Sequence, residues 1–401
     1  MIYDIAIIGG GIVGLSTAFQ LLEQRPDLKI CVLEKEKEVA QHQTKWNSGV
    51  MHSGIYYKPG SLRARNCKDG HEQLVAFCQQ HEIPFELCGK LIVATNDKEL
   101  ETLQEIYKKG IQNGLQGLKI ITPEEAREIE PHVFCIKAIK VPSAGIVEYE
   151  RVAKKYAEIF TLNGGTILRG HEVLDIIENP KSITLTTNQN DVNARYVISC
   201  AGLYADKITQ KSMPEIPYKI IPFRGEYYEL KKEKEYLANH LIYPVPDVTF
   251  PFLGVHYTRM ITGGMEAGPN AVLAFKREGY RNNQVDGKEL LEILSFSGFQ
   301  KLAKKYWRTG WDEIRRSYSK KLFVKAMQKL IPEVREEDVV GGRSGVRAMA
   351  CDAQGNLIDD FLILNTRRIV NVISAPSPAA TASLAIGKEI VARTIPLIDA
   401  R

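Results

Sequence analysis

The 401-residue sequence has no apolar run approaching the roughly 18–20 residues of a membrane-spanning helix, because Gly or a charged residue interrupts each one. It has no C-x-x-C pair: its seven cysteines, at 31, 67, 78, 88, 135, 200 and 351, are odd in number and widely spaced. That pattern argues against a disulfide framework or a zinc site and suits reduced, mostly buried thiols in the cytoplasm. Strand-like sequence begins almost at Met1, so no signal or transit peptide is expected. Internal repeats and low-complexity tracts are missing, and the lack of a G-x-S-x-G elbow or a P-loop leaves hydrolase and phosphoryl-transfer readings without support. His, Cys and Asp do not recur at metal-ligand spacing, so no metal is expected. The net charge of +5 is too small to argue for nucleic acid.

What is present, 44% hydrophobic and 25% charged residues, suffices for two or three domains with a substantial core. The β-branched run Tyr3–Ile8 reads as a buried strand and ends in Gly9-Gly10-Gly11-Ile12-Val13-Gly14. Apolar residues at helical spacing over Ile12–Glu23 and a second strand, Ile30–Leu33, closed by Glu34, complete a βαβ unit. A G-x-G-x-x-G is weak alone, but here it has the strand, the helix and the acid about 20 residues on that a dinucleotide fingerprint requires. Gly9 serves the tight turn, Gly11 the approach of the pyrophosphate and Gly14 the packing of helix on strand. Glu34 accepts from ribose hydroxyls and would repel a 2′-phosphate, which argues against NADP.

Helical patterns follow at Ser61–Gln80 and Lys98–Asn113 around a strand at Lys90–Ala94, with a capping box at Thr122–Glu125. A helix over Glu150–Leu162 precedes strands at Thr166–Leu168, Val173–Ile177, Ser182–Thr187 and Arg195–Ser199. Residues 218–275, rich in Tyr, Phe, Pro and β-branched types, suggest a separate antiparallel sheet. Helices over 288–297 and 301–330, strands near 339–349 and 369–373, and a final helix from about Pro378 to Arg393 end the chain. This order predicts an α/β (overall α+β) protein. A Rossmann-type nucleotide domain would comprise 1–85, 142–212 and 335–401, and a mainly antiparallel substrate domain 86–141 and 213–334.

Three segments favour FAD over NAD. Gln41–Tyr57 is polar and Gly-rich, suited to line an extended cofactor, and Val197–Gly202 is a buried strand ending in small residues. Ile373–Thr381 opens the last helix with small residues and a Pro near its first turn, so that a helix N-terminus could stabilise charge on a reduced flavin. In this order the segments resemble the D-amino-acid-oxidase-type flavoprotein family, and within it the L-2-hydroxyglutarate dehydrogenases. The resemblance covers nearly the whole chain. It is most specific at Asn47–Ser61, Cys88–Ala94, Ile221–Gly225, Ile242–His256, Gly268–Tyr280, Gly345–Ala348 and Ala375–Thr381. Lys45-Trp46 and Met260–Ala267 depart from the family pattern. The resemblance implies FAD, two domains and oxidation of L-2-hydroxyglutarate to 2-oxoglutarate, with electrons passing to a quinone or, more slowly, to oxygen. It also implies flavin contacts by Gly9, Gly11, Ile12, Gly14, Glu34, Lys35, His42, Thr44, Asn47, Ser48, Gly49, Val173, Ala201, Gly202, Gly345, Ala375, Pro378, Ala379, Ala380 and Thr381.

Oxidising a secondary alcohol through a flavin needs a hydride path to N5 and a base for the hydroxyl proton. His256, expected to close the strand PFLGVH facing the flavin, is the first candidate and His52 the second; a lone His at a strand end is otherwise most often structural. A dicarboxylate needs cationic clamps. Arg347 and Arg224 are favoured because each lies in an apolar or small-residue strand where a free charge is costly, with Lys276 and Arg277 behind them. Tyr56 and Tyr57 could bond a carboxylate or cover the flavin. A same-fold amino-acid or amine oxidase and a non-catalytic flavin-binding redox protein are the rival readings. Finally, the basic charge is local: residues 301–329 hold ten Lys or Arg against two acids, together with Trp307 and Trp311. Such a segment could lie on an anionic membrane, placing a cytoplasmic enzyme at the inner face of the cell membrane, although a solvated helix face is the commoner explanation.

Overall fold

The computed structural model describes residues 2–247 and 252–399; residues 248–251 of the stretch Ile242–His256 lie outside this description. An eight-stranded sheet contains the parallel core Thr166–Arg169, Ile30–Glu34, Ile2–Ile8, Val192–Ser199 and Ile369–Ser374, in that spatial order. All five residues of Ile30–Glu34 are buried, as expected for a strand covered on both faces. The helix Ile12–Gln24 packs on this sheet against the helix Ser383–Asp399, and the two approach closely at Gly387, where a Cβ would lie 2.6 Å from Ser16 Oγ. The described cysteines are all free, five of them buried.

A nine-stranded, largely antiparallel sheet forms the second layer. Its longest pairing joins Tyr218–Leu230 to Val339–Asp352, setting Phe223 opposite Arg347 and Gly225 opposite Gly345. The strand Val339–Asp352 therefore belongs by hydrogen bonding to this sheet and not to the nucleotide-binding one, contrary to the expectation that the unit resumes at 335. Lys90–Ala94 lies in the same sheet beside Leu241–Pro244.

The Thr122–Glu125 capping box is formed, and Ser61 caps the helix Leu62–Gln80 through Ala64 N–H. The helix expected over 301–330 is two helices. Ser297–Ser317 bends at Tyr306, and Ser319 then caps a new start at Lys320–Met327 by accepting from Leu322 N–H. The last helix starts at Ser383, not near Pro378; the preceding small residues form turns in which Pro376 and Pro378 carbonyls accept from Ala379 and Ala382 N–H. His256 does not close a strand but opens one, His256–Arg259.

Candidate active site

A cavity of about 1140 Å³ extends from the carboxyl ends of the parallel strands to the face of the second sheet. It exceeds the roughly 300–1000 Å³ of an ordinary small-molecule pocket. At one end lie Gly9, Gly11, Ile12, Gly14, Glu34 and Lys35. His42, Thr44, Asn47 and Ser48 continue the wall, Val173, Ala201 and Gly202 flank it, and Gly345 with Ala375 and Pro378–Thr381 forms the far side. One expected cofactor residue is not part of this wall. Gly49, at φ +68°, has its Cα directed at Val147, whose carbonyl a Cβ would meet at 2.8 Å; it shapes the turn and does not face the cavity.

The glycines fit a dinucleotide cofactor by distinct means. A Cβ on Gly14 would strike Gly9 O at 2.1 Å, and one on Gly9 would strike Cys200 O at 2.4 Å, so Gly14 is required by packing within the turn and Gly9 by packing of the turn against the end of the neighbouring strand Val192–Ser199. A Cβ on Gly11 would meet only Thr44 Oγ1, at 3.5 Å, leaving open space over the helix N-terminus where a pyrophosphate can approach. Thr44 Oγ1 accepts from Ile12 N–H at 3.0 Å. Glu34 accepts from Gly10 N–H at 2.8 Å and Glu36 N–H at 2.9 Å, one bond per oxygen, which leaves lone pairs for ribose hydroxyls. His42 bonds Tyr280 Oη at 3.0 Å and Glu36 at 3.0 Å, while Lys35 bridges Glu36 and Glu278. These three potential ligands, Glu36, His42 and Glu278, thus form an ion-pair network around an ammonium.

The other end of the cavity holds His52, Tyr56, Tyr57, Tyr243, Phe252, His256 and Arg347. His256 Nδ1 lies 2.8 Å from Gly254 O, a carbonyl that can only accept, so the proton sits on Nδ1 and Nε2 carries the free lone pair. Its ring lies 4.0 Å from that of Tyr243. Burial, reinforced by the positive charges of Arg347 and Lys90 and opposed by the Gly254 bond, pushes the His256 imidazole down to about 3. Burial and then Lys90 likewise push His52 down to about 3. Both rings are neutral at physiological pH, each with a nitrogen lone pair that can accept a proton. Arg347 has no acidic partner among the described residues; its Nη1 is fully enclosed without an acceptor, and the guanidinium faces the Phe252 ring at 5.6 Å. The Tyr56 hydroxyl is also buried and has no hydrogen-bond partner among the described residues.

Arg224, the second expected clamp, is not at the cavity. It projects from the opposite face of its strand, where Nε donates to Glu226 at 3.0 Å and the remaining nitrogens reach Arg281 O and Asn282 Oδ1. Its charge is neutralised within the protein. Arg277 is likewise committed, forked onto Asp206 at 2.7 and 2.9 Å with both side chains 1% exposed. Sequence reasoning passed over Lys90, which is 3% exposed and lies behind this wall with its Nζ 4.9 Å from the Tyr56 ring centre and 4.7 Å from that of Tyr243. Its one sequence signal was a solitary Lys opening an otherwise apolar strand, KLIVA.

Comparison with known proteins agrees with this geometry. The profile of a family described as FAD dependent oxidoreductase matches residues 4–393. The L-2-hydroxyglutarate dehydrogenase of Indibacter alkaliphilus is 53% identical over 96% of this chain and 97% of its own. Its namesake in Escherichia coli K12 is 44% identical over 99% and 94%, and the mitochondrial one of Homo sapiens 45% over 96% and 87%. Among solved structures, L-alpha-glycerophosphate oxidase from Mycoplasma pneumoniae superposes with a TM-score of 0.79 at 23% identity, over 100% of this chain and 95% of that one. Glycine oxidase from Bacillus cereus gives 0.71 at 18%, over 99% and 97%. These two show the fold.

Proposed function

The chain belongs to the FAD dependent oxidoreductase family, and from that premise we propose that it oxidises L-2-hydroxyglutarate to 2-oxoglutarate. The observation that carries this reading is the conjunction, at one end of the cavity, of a guanidinium with no ion-pair partner among the described residues and an imidazole with a free Nε2. Arg347 offers a planar fork to one substrate carboxylate, and the Tyr56 hydroxyl is a donor for the second. His256 takes the hydroxyl proton at Nε2; His52, the other neutral imidazole, is the alternative base. Bound FAD supplies the acceptor for the hydride that leaves the carbinol carbon. Phe252 and the tyrosine rings give this end apolar walls, which strengthens the contact between guanidinium and carboxylate. Anaerobic addition of L-2-hydroxyglutarate to the purified yellow protein should bleach the flavin, whereas the D-isomer and amino acids should not. Preferential bleaching by an amino acid would favour an amine oxidase, and no bleaching by any 2-hydroxyacid would refute the proposal.

The electron acceptor, in the same reading, is a quinone reached at an anionic membrane surface, with oxygen slower. Support comes from the helix Ser297–Ser317 and the residue after it. Trp307, Trp311, Ile314 and Tyr318 recur at helical spacing and are 62%, 59%, 40% and 68% exposed. Lys304, Lys305, Arg308 and Arg315 accompany this apolar stripe, a combination suited to a negatively charged interface. No helix among the described residues is long and apolar enough to cross a membrane, so contact would be peripheral. Salt-sensitive co-sedimentation with phosphatidylglycerol vesicles, lost on joint substitution of Trp307 and Trp311 by Gln, would support this; no binding at low salt would end it.

A further inference from the structure

Lys90 has a buried ammonium that no acid among the described residues pairs. It opens the strand Lys90–Ala94, is 3% exposed, and forms no ion pair among the described residues. Long basic side chains usually carry their charge out to water, and one enclosed without a counter-ion costs stability. What surrounds Lys90 is the back of the catalytic wall. Its Nζ faces the rings of Tyr56 and Tyr243, and the Tyr243 ring lies in turn 4.0 Å from that of His256. We propose that Lys90 is a positioning residue for the reaction. From behind the wall its ammonium fixes the two tyrosine rings, holds the His256 ring through Tyr243, and sets a positive charge near both active-site imidazoles.

The charged and titratable groups around this point favour that role. Toward Lys90 face Cys67 from the helix Leu62–Gln80, His52 and Tyr56 from the loop before it, Tyr243 from Leu241–Pro244 and His256 from His256–Arg259. Arg63 and His71 also act on His52, and Arg347 acts on His256. None of these groups is a carboxylate. Burial pushes the Lys90 ammonium down to about 8, with Cys67 opposing, so it remains mostly charged at neutral pH. That charge then lowers both imidazoles in addition to what burial does. A dianionic substrate entering this cavity meets the positive charges of Arg347 and Arg63 on its surface and of Lys90 behind it, and no negative one among the groups named.

The inference rests on the proposed role of His256 or His52 as base, and its test can be separated from that role. In holoenzyme carrying 15N-labelled histidine, nuclear magnetic resonance reads the protonation of each imidazole directly. The expected result is that His52 and His256 stay neutral down to well below pH 6 in the native protein. In Lys90→Met, of similar length but uncharged, both titrations should rise by about one pH unit or more, with the acid limb of kcat/KM moving with them and kcat falling more than KM rises. Lys90→Arg, which keeps the charge, should retain the native titrations. Imidazole titrations in Lys90→Met that coincide with those of the native protein would overturn the proposal. So would histidines that titrate near 6.5 in the native protein, a measurement that needs no variant to fold. If His52→Ala and His256→Ala both retained turnover, the base assignment would fail while the titration shift would still decide the electrostatic role of Lys90.

Discussion

Replacing Arg347 by Met removes a guanidinium whose Nη1 is enclosed and meets no acceptor among the described residues. Two consequences follow, of opposite kind. A carboxylate that has lost its buried, charged partner typically costs about 2–5 kcal/mol, which corresponds to a fall in kcat/KM of about 30- to 4000-fold. Stability, by contrast, should change little, because Arg347 is half-buried and forms no ion pair among the described residues; the Glu313 carboxylate that feels its charge keeps its own partner, Arg316. Arg277→Met is the internal control. Arg277, 1% exposed, is forked onto Asp206, and its loss strands a carboxylate that is also 1% exposed. Breaking such a pair costs about 3–5 kcal/mol of stability. The assays are anaerobic flavin reduction across L-2-hydroxyglutarate concentrations and thermal unfolding of each holoenzyme. Arg347→Lys should fall between the native protein and the Met variant, since a point charge replaces a fork. An Arg347→Met enzyme that saturates normally with substrate, or that loses stability as Arg277→Met does, would refute the assignment of Arg347 as a clamp.

His256→Ala should retain its flavin while turnover falls by roughly 10²–10⁴-fold, the usual effect of losing a positioned base; normal turnover would transfer the role to His52 or to neither. Because burial holds both imidazoles near 3, the acid limb of kcat/KM should lie well below the ordinary histidine value of 6.5. The same shift has a sign for stability. As pH falls below 6.5, these histidines take up protons in the unfolded chain but not in the folded one, so stability present above 6.5 is lost progressively towards pH 3. Denaturant midpoints at pH 7 and 4.5 should therefore differ less in a His52→Asn, His256→Asn double variant, and an equal difference would count against the buried neutral state. Gly11→Ala should fold but bind FAD weakly, since its Cβ fills only the space over the helix N-terminus. Gly14→Ala should lose stability even without cofactor, since its Cβ lies 2.1 Å from Gly9 O. Apoprotein unfolding and FAD titration distinguish the two, and identical behaviour would contradict the division of roles.

The nucleotide end of this protein was readable because its signals are local. Gly9, Gly11 and Gly14 act on one turn, Glu34 ends the next strand, and the apolar periods on either side identify strand, helix and strand before any tertiary contact is known. The second sheet was harder because its defining pair, Tyr218–Leu230 with Val339–Asp352, joins segments more than a hundred residues apart; periodicity found each strand but not its partner. Helix boundaries failed where one capping residue outweighed a continuous pattern, as Ser319 does within the basic segment.

The two arginines show where composition and context stop being enough. Arg224 and Arg347 were chosen by one argument, that a charge in an apolar strand needs an anion, and the argument was sound for both. In Arg224 the anion is internal, and its position could have been read from the sequence, since Glu226 lies two residues on and alternation places i and i+2 on the same face. The residues around Arg347 at i ± 2, Gly345 and Met349, are not acidic, so the anion must come from another element or from a ligand. Lys90 extends the same test. Its i+2 neighbour is Ile92, and its strand partners Leu241 and Val141 are apolar, so local alternation offers it no counter-ion either. Applied before the structure, that criterion would have discarded Arg224, kept Arg347 and added Lys90, and it ties the two remaining cations to the chemistry of an anionic substrate.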